Sequence, residues 1–221
     1  MTRWREAARN CDAVRYEIEE HSEISPVLHL TVGTRRFRRG LEVGIGPYGF
    51  GLLASHFADH VDRIDGLDPL PRLDLQLSDA CLQACADVIR ARVNYIQAQA
   101  ESIPAETATY DIVSCINVVD HAQCPEAILH EICRVLKPDG LLVFAVSTLS
   151  VLGQIAWHIR RYRHPGAFLF VAHPHTFRWR SADLLVATVP GQTIWCDRPS
   201  ALRRFAGHGR MSFWIRKKKT A

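Results

Sequence analysis

No run of apolar residues in this chain approaches the ~20 that a membrane-spanning helix needs. The opening stretch, MTRWREAARNCDAVRYEIEEH, lacks the apolar core of a signal peptide and reads as a charged, helix-like segment, so a cytoplasmic location is expected. None of the seven cysteines is spaced as a CxxC pair. Cys81 and Cys85 stand one helical turn apart, but no second ligand pair follows at a zinc-like distance, so no disulfide framework and no metal is expected. Internal repeats, low-complexity tracts and convincing linkers are missing too. One domain with one core therefore suits 221 residues better than two small domains. One further absence is local: between Asp139 and Asp183 there is no Asp or Glu.

What is present is the balance of an ordinary globular protein, 48% hydrophobic and 23% charged residues with a formal net charge of +4. The run RKKK at Arg216–Lys219 supplies much of that excess. Along the chain, short apolar runs alternate with helical periodicity. LEVGIG, VDRIDGLDP, VNYIQAQA, YDIVSCINVV and LLVFAVS read as strands, and GFGLLASHFADH and Leu73–Arg92 as helices. A further helix opens at Pro125, with Ile128, Leu129, Ile132, Val135 and Leu136 on one face, and KPDG is expected to end it with Gly140 at the stop. Strands apolar on both faces and alternating with helices predict an α/β fold, a doubly wound, mostly parallel sheet. SADLLVATV then reads as a helix, and QTIWCD and RMSFWIRKK as two strands pairing antiparallel at the sheet edge, seven strands in all.

The segment Glu42-Val43-Gly44-Ile45-Gly46-Pro47-Tyr48-Gly49 carries a strand into a turn and then a helix. Glycines there let a ligand approach the backbone, and the helix start offers free N–H groups. Asp68, ending the next strand, is placed to accept from ribose hydroxyls. Gly44, Gly46 and Gly49 with Asp68 also satisfy a dinucleotide fingerprint, so a nicotinamide oxidoreductase stays open. Against it, a carboxylate at Glu42 is unfavourable near a pyrophosphate but suits an ammonium group, and Pro47 removes an N–H that phosphate could use.

Taken together, LEVGIGPYGFG, GLDP, QAESIP and the block YDIVSCINVVDH…PEAILHEICRVLKPDGLLVF resemble the type 11 family of class I S-adenosylmethionine-dependent methyltransferases over residues 38 to 148. The resemblance implies a Rossmann-like methyltransferase fold and S-adenosyl-L-methionine as cofactor, with S-adenosyl-L-homocysteine as product. It implies that Glu42, Gly44, Ile45 and Gly46 meet the methionine part and that Asp68 and Pro69 meet the ribose. Ala100 and Glu101 would line the adenine, and Asn117 and Val118 would flank the cofactor at the tip of strand four. His121 would lie beside the transferred methyl. No Asn/Asp-Pro-Pro-Tyr/Phe motif follows strand four, which speaks against adenine- and glutamine-directed enzymes. On this reading 1–221 is a single domain: a helical cap over 1–37, a cofactor-binding core over 38–148, a substrate lid over 149–180, and a helix with a strand pair over 181–221.

The acid-free stretch carries Arg160, Arg161, Arg163, Arg178 and Arg180, histidines 158, 164, 173 and 175, and six interleaved aromatics, Trp157, Tyr162, Phe168, Phe170, Phe177 and Trp179. Guanidinium forks suit carboxylate or phosphate. The expected role is a lid for an anionic, partly apolar small-molecule substrate, with Trp157, Arg161 and His175 as substrate contacts. Two other readings stay open: an amphipathic helix over 151–163 making peripheral membrane contact, and a solvated basic face. His121 and His173 are the candidate catalytic bases, since histidine titrates near neutral pH. An RNA-directed methyltransferase and a non-catalytic, methyltransferase-like binding protein remain as alternatives. A nucleic-acid partner is disfavoured because no RNA-binding module is appended, and the sequence does not give the oligomeric state.

Overall fold

The computed structural model describes residues 6, 8–164, 166–167, 173–198, 200–206 and 208–218. Residues 1–5 and 7 of the opening segment, and Phe168, Phe170 and Lys219, lie outside the described residues. Seven strands form one sheet: β1 (Gly40–Val43), β2 (Ile64–Asp68), β3 (Val93–Gln97), β4 (Tyr110–Ile116), β5 (Leu136–Leu149), β6 (Gly191–Asp197) and β7 (His208–Lys217), in the order β3-β2-β1-β4-β5-β7-β6. β1, β2 and β3 pair in parallel, whereas β7 runs antiparallel to both β5 and β6. This is the mostly parallel α/β sheet that the alternation predicts, and its antiparallel pairings gather at the edge where they were expected. The chain divides into two compact units, residues 1–100 with 110–114, and residues 101–109 with 115–221.

The first unit holds β1, β2, β3 and the start of β4, with α1 (Cys11–Glu19), α2 (Ser25–Val32), α3 (Leu52–His56) and α4 (Ala80–Ala91). Every residue of β1 and β2 is buried, as strands covered on both faces require. The long helix expected from Leu73 starts only at Ala80. Asp79 caps it, its carboxylate accepting from the N–H groups of Cys81 and Leu82 at 3.0 Å each. Apolar spacing extends upstream of that cap, but a capping acid fixes where a helix begins. Likewise the helix expected from Gly49 is a single turn, α3, followed by a 3-10 turn over Ala58–His60.

One buried carboxyl group ties the strands of this unit together. Asp65 on β2 is 4% exposed. Its Oδ2 accepts from Arg39 Nε at 2.9 Å and from the Tyr110 hydroxyl at 2.9 Å, and its Oδ1 accepts from Asn94 Nδ2 at 2.8 Å. Arg39 precedes β1, Asn94 lies on β3 and Tyr110 opens β4. Burial, then the Asp65 charge, raises the Tyr110 hydroxyl well above its ordinary value, which keeps it a donor.

The second unit holds β5, β6 and β7, with α5 (Pro125–Val135), α6 (Val151–Arg163), α7 (Trp179–Ala187) and α8 (Ala201–Ala206). α5 opens at Pro125 and buries Ile128, Leu129, Ile132 and Val135, the face read from the spacing. Its end corrects the sequence reading. The helix stops at Val135, and β5 begins at Leu136 and runs through KPDG, with Asp139 in the left-handed region at φ 65°. Lys217 on β7 provides the stop signal, donating through Nζ to the carbonyls of Cys133 and Leu136 at 2.6 Å each. α8 was not anticipated; six residues are too few to show a helical period.

Replacing Asp65 with alanine strands three donors around a buried site. Unfolding in urea should show a loss of ~3 kcal/mol for Asp65→Ala. A loss below ~0.5 kcal/mol, the size of a surface substitution, would mean that the network contributes nothing.

Candidate active site

In the first unit the residues expected to meet the cofactor sit at the carboxyl ends of β1 and β2. Gly44, Gly46 and Gly49 adopt φ of 71°, 73° and 79°, the left-handed region in which a side chain is strained. The turn they make is pinned from β2. Leu67 accepts through its carbonyl from Gly44 N–H at 2.7 Å, and Asp68 Oδ2 accepts from Gly46 N–H at 2.9 Å. Asp68 Oδ1 takes Leu70 N–H at 2.9 Å, so this 7%-exposed carboxylate fastens two turns at once. No heavy atom lies within 4 Å of where a Cβ on Gly46 would stand, so the backbone there is open to an incoming group. That opening, beside an acid ending the second strand, fits an adenosyl ligand.

Ile45 is buried against Gly66 of β2 and shapes the turn from beneath. Pro69 is exposed, and its carbonyl accepts from Gln97 Nε2 at 3.2 Å. Ala100 is buried at the end of the unit.

Glu42 departs from the simple expectation of an acid facing a ligand. It is 4% exposed, and its Oε1 accepts the N–H of Leu53 in the first turn of α3. Burial pushes its pKa up to about 8, while the backbone N–H groups of Leu53 and Leu52 pull the other way. Its Oε2 lies 2.2 Å from the position a Cβ on residue 51 would take, so Gly51 is glycine because the carboxylate fills that space.

In the second unit a cluster of polar side chains gathers after β4. Asn117 sits in the left-handed region at φ 55°, held by its N–H to the Ala145 carbonyl at 3.0 Å and by the Ser147 hydroxyl on its Oδ1 at 3.1 Å. Val118, half-buried, follows, and its carbonyl accepts from His121 N–H at 3.0 Å. Glu101 uses a carboxylate oxygen to accept Gln123 N–H at 3.0 Å, so it braces the loop that carries His121. Asp120, which the sequence reading leaves out, is the centre of the cluster. Its side chain is 11% exposed and its Oδ2 accepts from His173 Nδ1 at 2.8 Å, with His121 Nε2 at 3.8 Å from the same oxygen. The two candidate bases thus come together, ring centroids 4.1 Å apart.

His175 joins by its backbone, donating to the Asp120 carbonyl at 3.3 Å, and the Thr148–Phe177 bridge lays this segment along the end of β5. Phe177 and Thr148 are each buried, so the anchor of the segment is apolar packing as well as pairing.

Asp120, His121 and His173 also present one ligand atom each within 4.8 Å of one another, a set that could hold a divalent cation. The cysteine spacing predicts no metal; Asp120, the direct neighbour of His121 in the chain, supplies the carboxylate of this set. Trp157 and Arg161 lie one turn apart on α6, the first half-buried and the second exposed. Trp179 is flanked by the guanidinium groups of Arg180 at 5.1 Å and Arg204 at 4.5 Å, which accounts for part of the Arg–aromatic interleaving.

Comparison with known proteins shows what the chain is similar to. Residues 41–144 match a family model described as a methyltransferase domain. The chain is 26% identical over 207 residues to a malonyl-[acyl-carrier protein] O-methyltransferase of Enterobacter lignolyticus, covering 86% of this chain and 74% of that one. It is 29% identical over 176 residues to a ubiquinone biosynthesis O-methyltransferase of Alkalilimnicola ehrlichii, covering 76% of this chain and 58% of that one. The chain therefore spans little more than half the length of this second relative. Among solved structures, the N-methyltransferase NodS of Bradyrhizobium japonicum in complex with S-adenosyl-l-homocysteine superposes with a TM-score of 0.58 at 16% identity, over 90% of this chain and 88% of that one. That likeness shows the fold.

The Glu42 carboxyl yields a pH prediction. Its folded pKa is raised from 4.5 to about 8, so between those values the native state keeps a proton that the unfolded chain releases. Stability should therefore fall as pH rises through that window, by about 1 kcal/mol per pH unit at steepest. Glu42→Gln should flatten this slope, read from urea midpoints at pH 6 and pH 8. Equal slopes in the two proteins would show that Glu42 ionises freely.

Proposed function

We propose that the chain is a class I S-adenosylmethionine-dependent methyltransferase of type 11, and that it methylates an oxygen or nitrogen of a small acceptor that carries an acidic group on a partly apolar body; the methyltransferase-domain match over residues 41–144 and the similarity to O-methyltransferases support this reading. The bound cofactor supplies an electrophilic methyl on a sulfonium; the protein supplies alignment, exclusion of water and a place for the proton.

The roles divide between the units. Gly44, Ile45, Gly46, Asp68, Pro69 and Ala100 of the first unit hold the methyl donor; for Glu101, Asn117 and Val118 of the second unit the role is the one that the family resemblance implies. Glu42 acts on that site through α3. Gly46 is the position that carries this assignment, because its backbone is left open where a ligand would approach.

His173 is the base. Its Nδ1–H donates to Asp120 at 2.8 Å, which fixes the tautomer and leaves the Nε2 lone pair to take the acceptor's proton. The methyl donor would supply its methyl and leave as the neutral thioether, while the acceptor proton passes to His173 Nε2 and Asp120 stabilises the resulting imidazolium. His121, packed on His173, holds the ring in place or shares the proton. Trp157, Arg161 and His175 recognise the acceptor. The absence of any acid between Asp139 and Asp183 is what favours an anionic one. Residues 1–37 serve as a cap and 149–180 as the lid, in an enzyme working in the cytoplasm.

Calorimetric titration with S-adenosyl-L-homocysteine tests the first half. Asp68→Ala should weaken binding at least ~10-fold, about 1.4 kcal/mol. No binding to the unaltered protein overturns the reading, and a signal with a reduced nicotinamide dinucleotide instead replaces it. Asp120→Asn tests the second half. Once an acceptor is found among small acids, kcat should fall ~100-fold or more with the thioether affinity unchanged. An unchanged kcat removes the base from the mechanism.

A further inference from the structure

α6 is a 13-residue helix with no buried residue. Leu152, Ile155, Ile159 and Tyr162 are 47%, 53%, 47% and 90% exposed. At 3.6 residues per turn these four fall within an arc of about 80°. Trp157 and Arg161 point away from that arc. Arg160 and Arg163, both exposed, border it on one side and His158 on the other. α8 lies beside α6 and exposes Leu202 and Phe205 at 77% and 57%. A soluble monomer seldom leaves so continuous an apolar stripe uncovered.

The charge around the stripe selects its occupant. No carboxylate occurs in the chain from 140 to 182, so every ionised side chain bordering the stripe on α6 is cationic. A helix of this length, about 20 Å, is too short to cross a bilayer, and among the described residues no helix is long and apolar enough to do so. An apolar face of about four large side chains edged by arginine is what inserts to the headgroup level of an anionic bilayer, the aliphatic side chains in the acyl boundary and the guanidinium groups on the phosphates. Tyr162 adds an aromatic ring with a polar tip, which suits the headgroup region.

We propose that the outward face of α6, extended by α8, docks the protein on the surface of an anionic lipid bilayer. The face needs neither the methyl donor nor the His173–Asp120 pair, so the proposal stands apart from the methyl-transfer reading. It bears on how the acceptor arrives: an amphiphile with an acidic group concentrates in the same layer.

Vesicle flotation of the full chain tests it, with phosphatidylcholine alone against phosphatidylcholine containing about a third phosphatidylglycerol. Binding to the anionic vesicles should be at least tenfold tighter and should weaken as salt rises from about 0.05 to 0.5 M. The double variant Ile155→Glu/Ile159→Glu should lose that binding at least tenfold while keeping the circular dichroism spectrum and thermal midpoint of the unaltered protein. Leu184→Glu, which changes a 72%-exposed leucine on α7, should keep it. Equal binding to both vesicle types, no binding to either, or binding untouched by the double variant overturns the proposal. So does a dimer in size-exclusion chromatography that Ile155→Glu/Ile159→Glu dissolves, since a second copy would then be the occupant. Thioether binding measured on the same variants reports separately on the cofactor site, and either result can fail alone.

Discussion

Asp68 bears more of this architecture than any other single side chain at the cofactor end. Buried at the last position of β2, it gives one oxygen to Gly46 N–H and the other to Leu70 N–H. Charge-assisted bonds of this kind contribute on the order of 1.5–3 kcal/mol each. Here they also decide conformation. The turn after β1 must bring Gly46 N–H to the end of β2, and it does so only through backbone in the left-handed region at three places. Glycine is thus demanded twice, by the turn that the carboxylate dictates and by the open approach a ligand needs. The fingerprint is ambiguous in sequence because both demands arise in dinucleotide-binding folds as well.

Two buried acids on adjacent strands play different parts in the same unit. Asp65, near the start of β2, is surrounded by Arg39, Asn94 and Tyr110, which donate to both of its oxygens. Glu42, near the end of β1, has backbone N–H groups for company and is pushed toward the neutral form. Burial is nearly the same, at 4% exposure for both, so what differs is the donors that each site offers. A side-chain anchor and a titrating group thus stand on neighbouring strands.

The glycine turn, Asp68, the five alternating strands and the buried face of α5 were legible because each rests on a local rule: apolar period, turn chemistry, a strand-ending acid. The start of α4 and the start of β5 were not, because each boundary is decided by a partner outside the periodic pattern, Asp79 in one case and Lys217 from the far end of the chain in the other. The site was half legible. His121 and His173 were named for their chemistry, and they do meet, but Asp120, which joins them, was hidden in an apolar strand end read as NVVD. A carboxylate adjacent to a candidate base is a signal the sequence did contain. The distance that makes it useful, 53 positions to His173, is a property of the fold.

The contact between Glu42 and Gly51 has a consequence for the history of the chain. Any side chain at 51 collides with the acid at 42, and with the acid gone the void beneath α3 is free to be filled. Neither position can change well alone. Descendants of a common ancestor should therefore keep acid-with-glycine or exchange both together, and a lineage carrying a shorter residue at 42 with alanine or serine at 51 would mark a branch in which this helix start is held by other means.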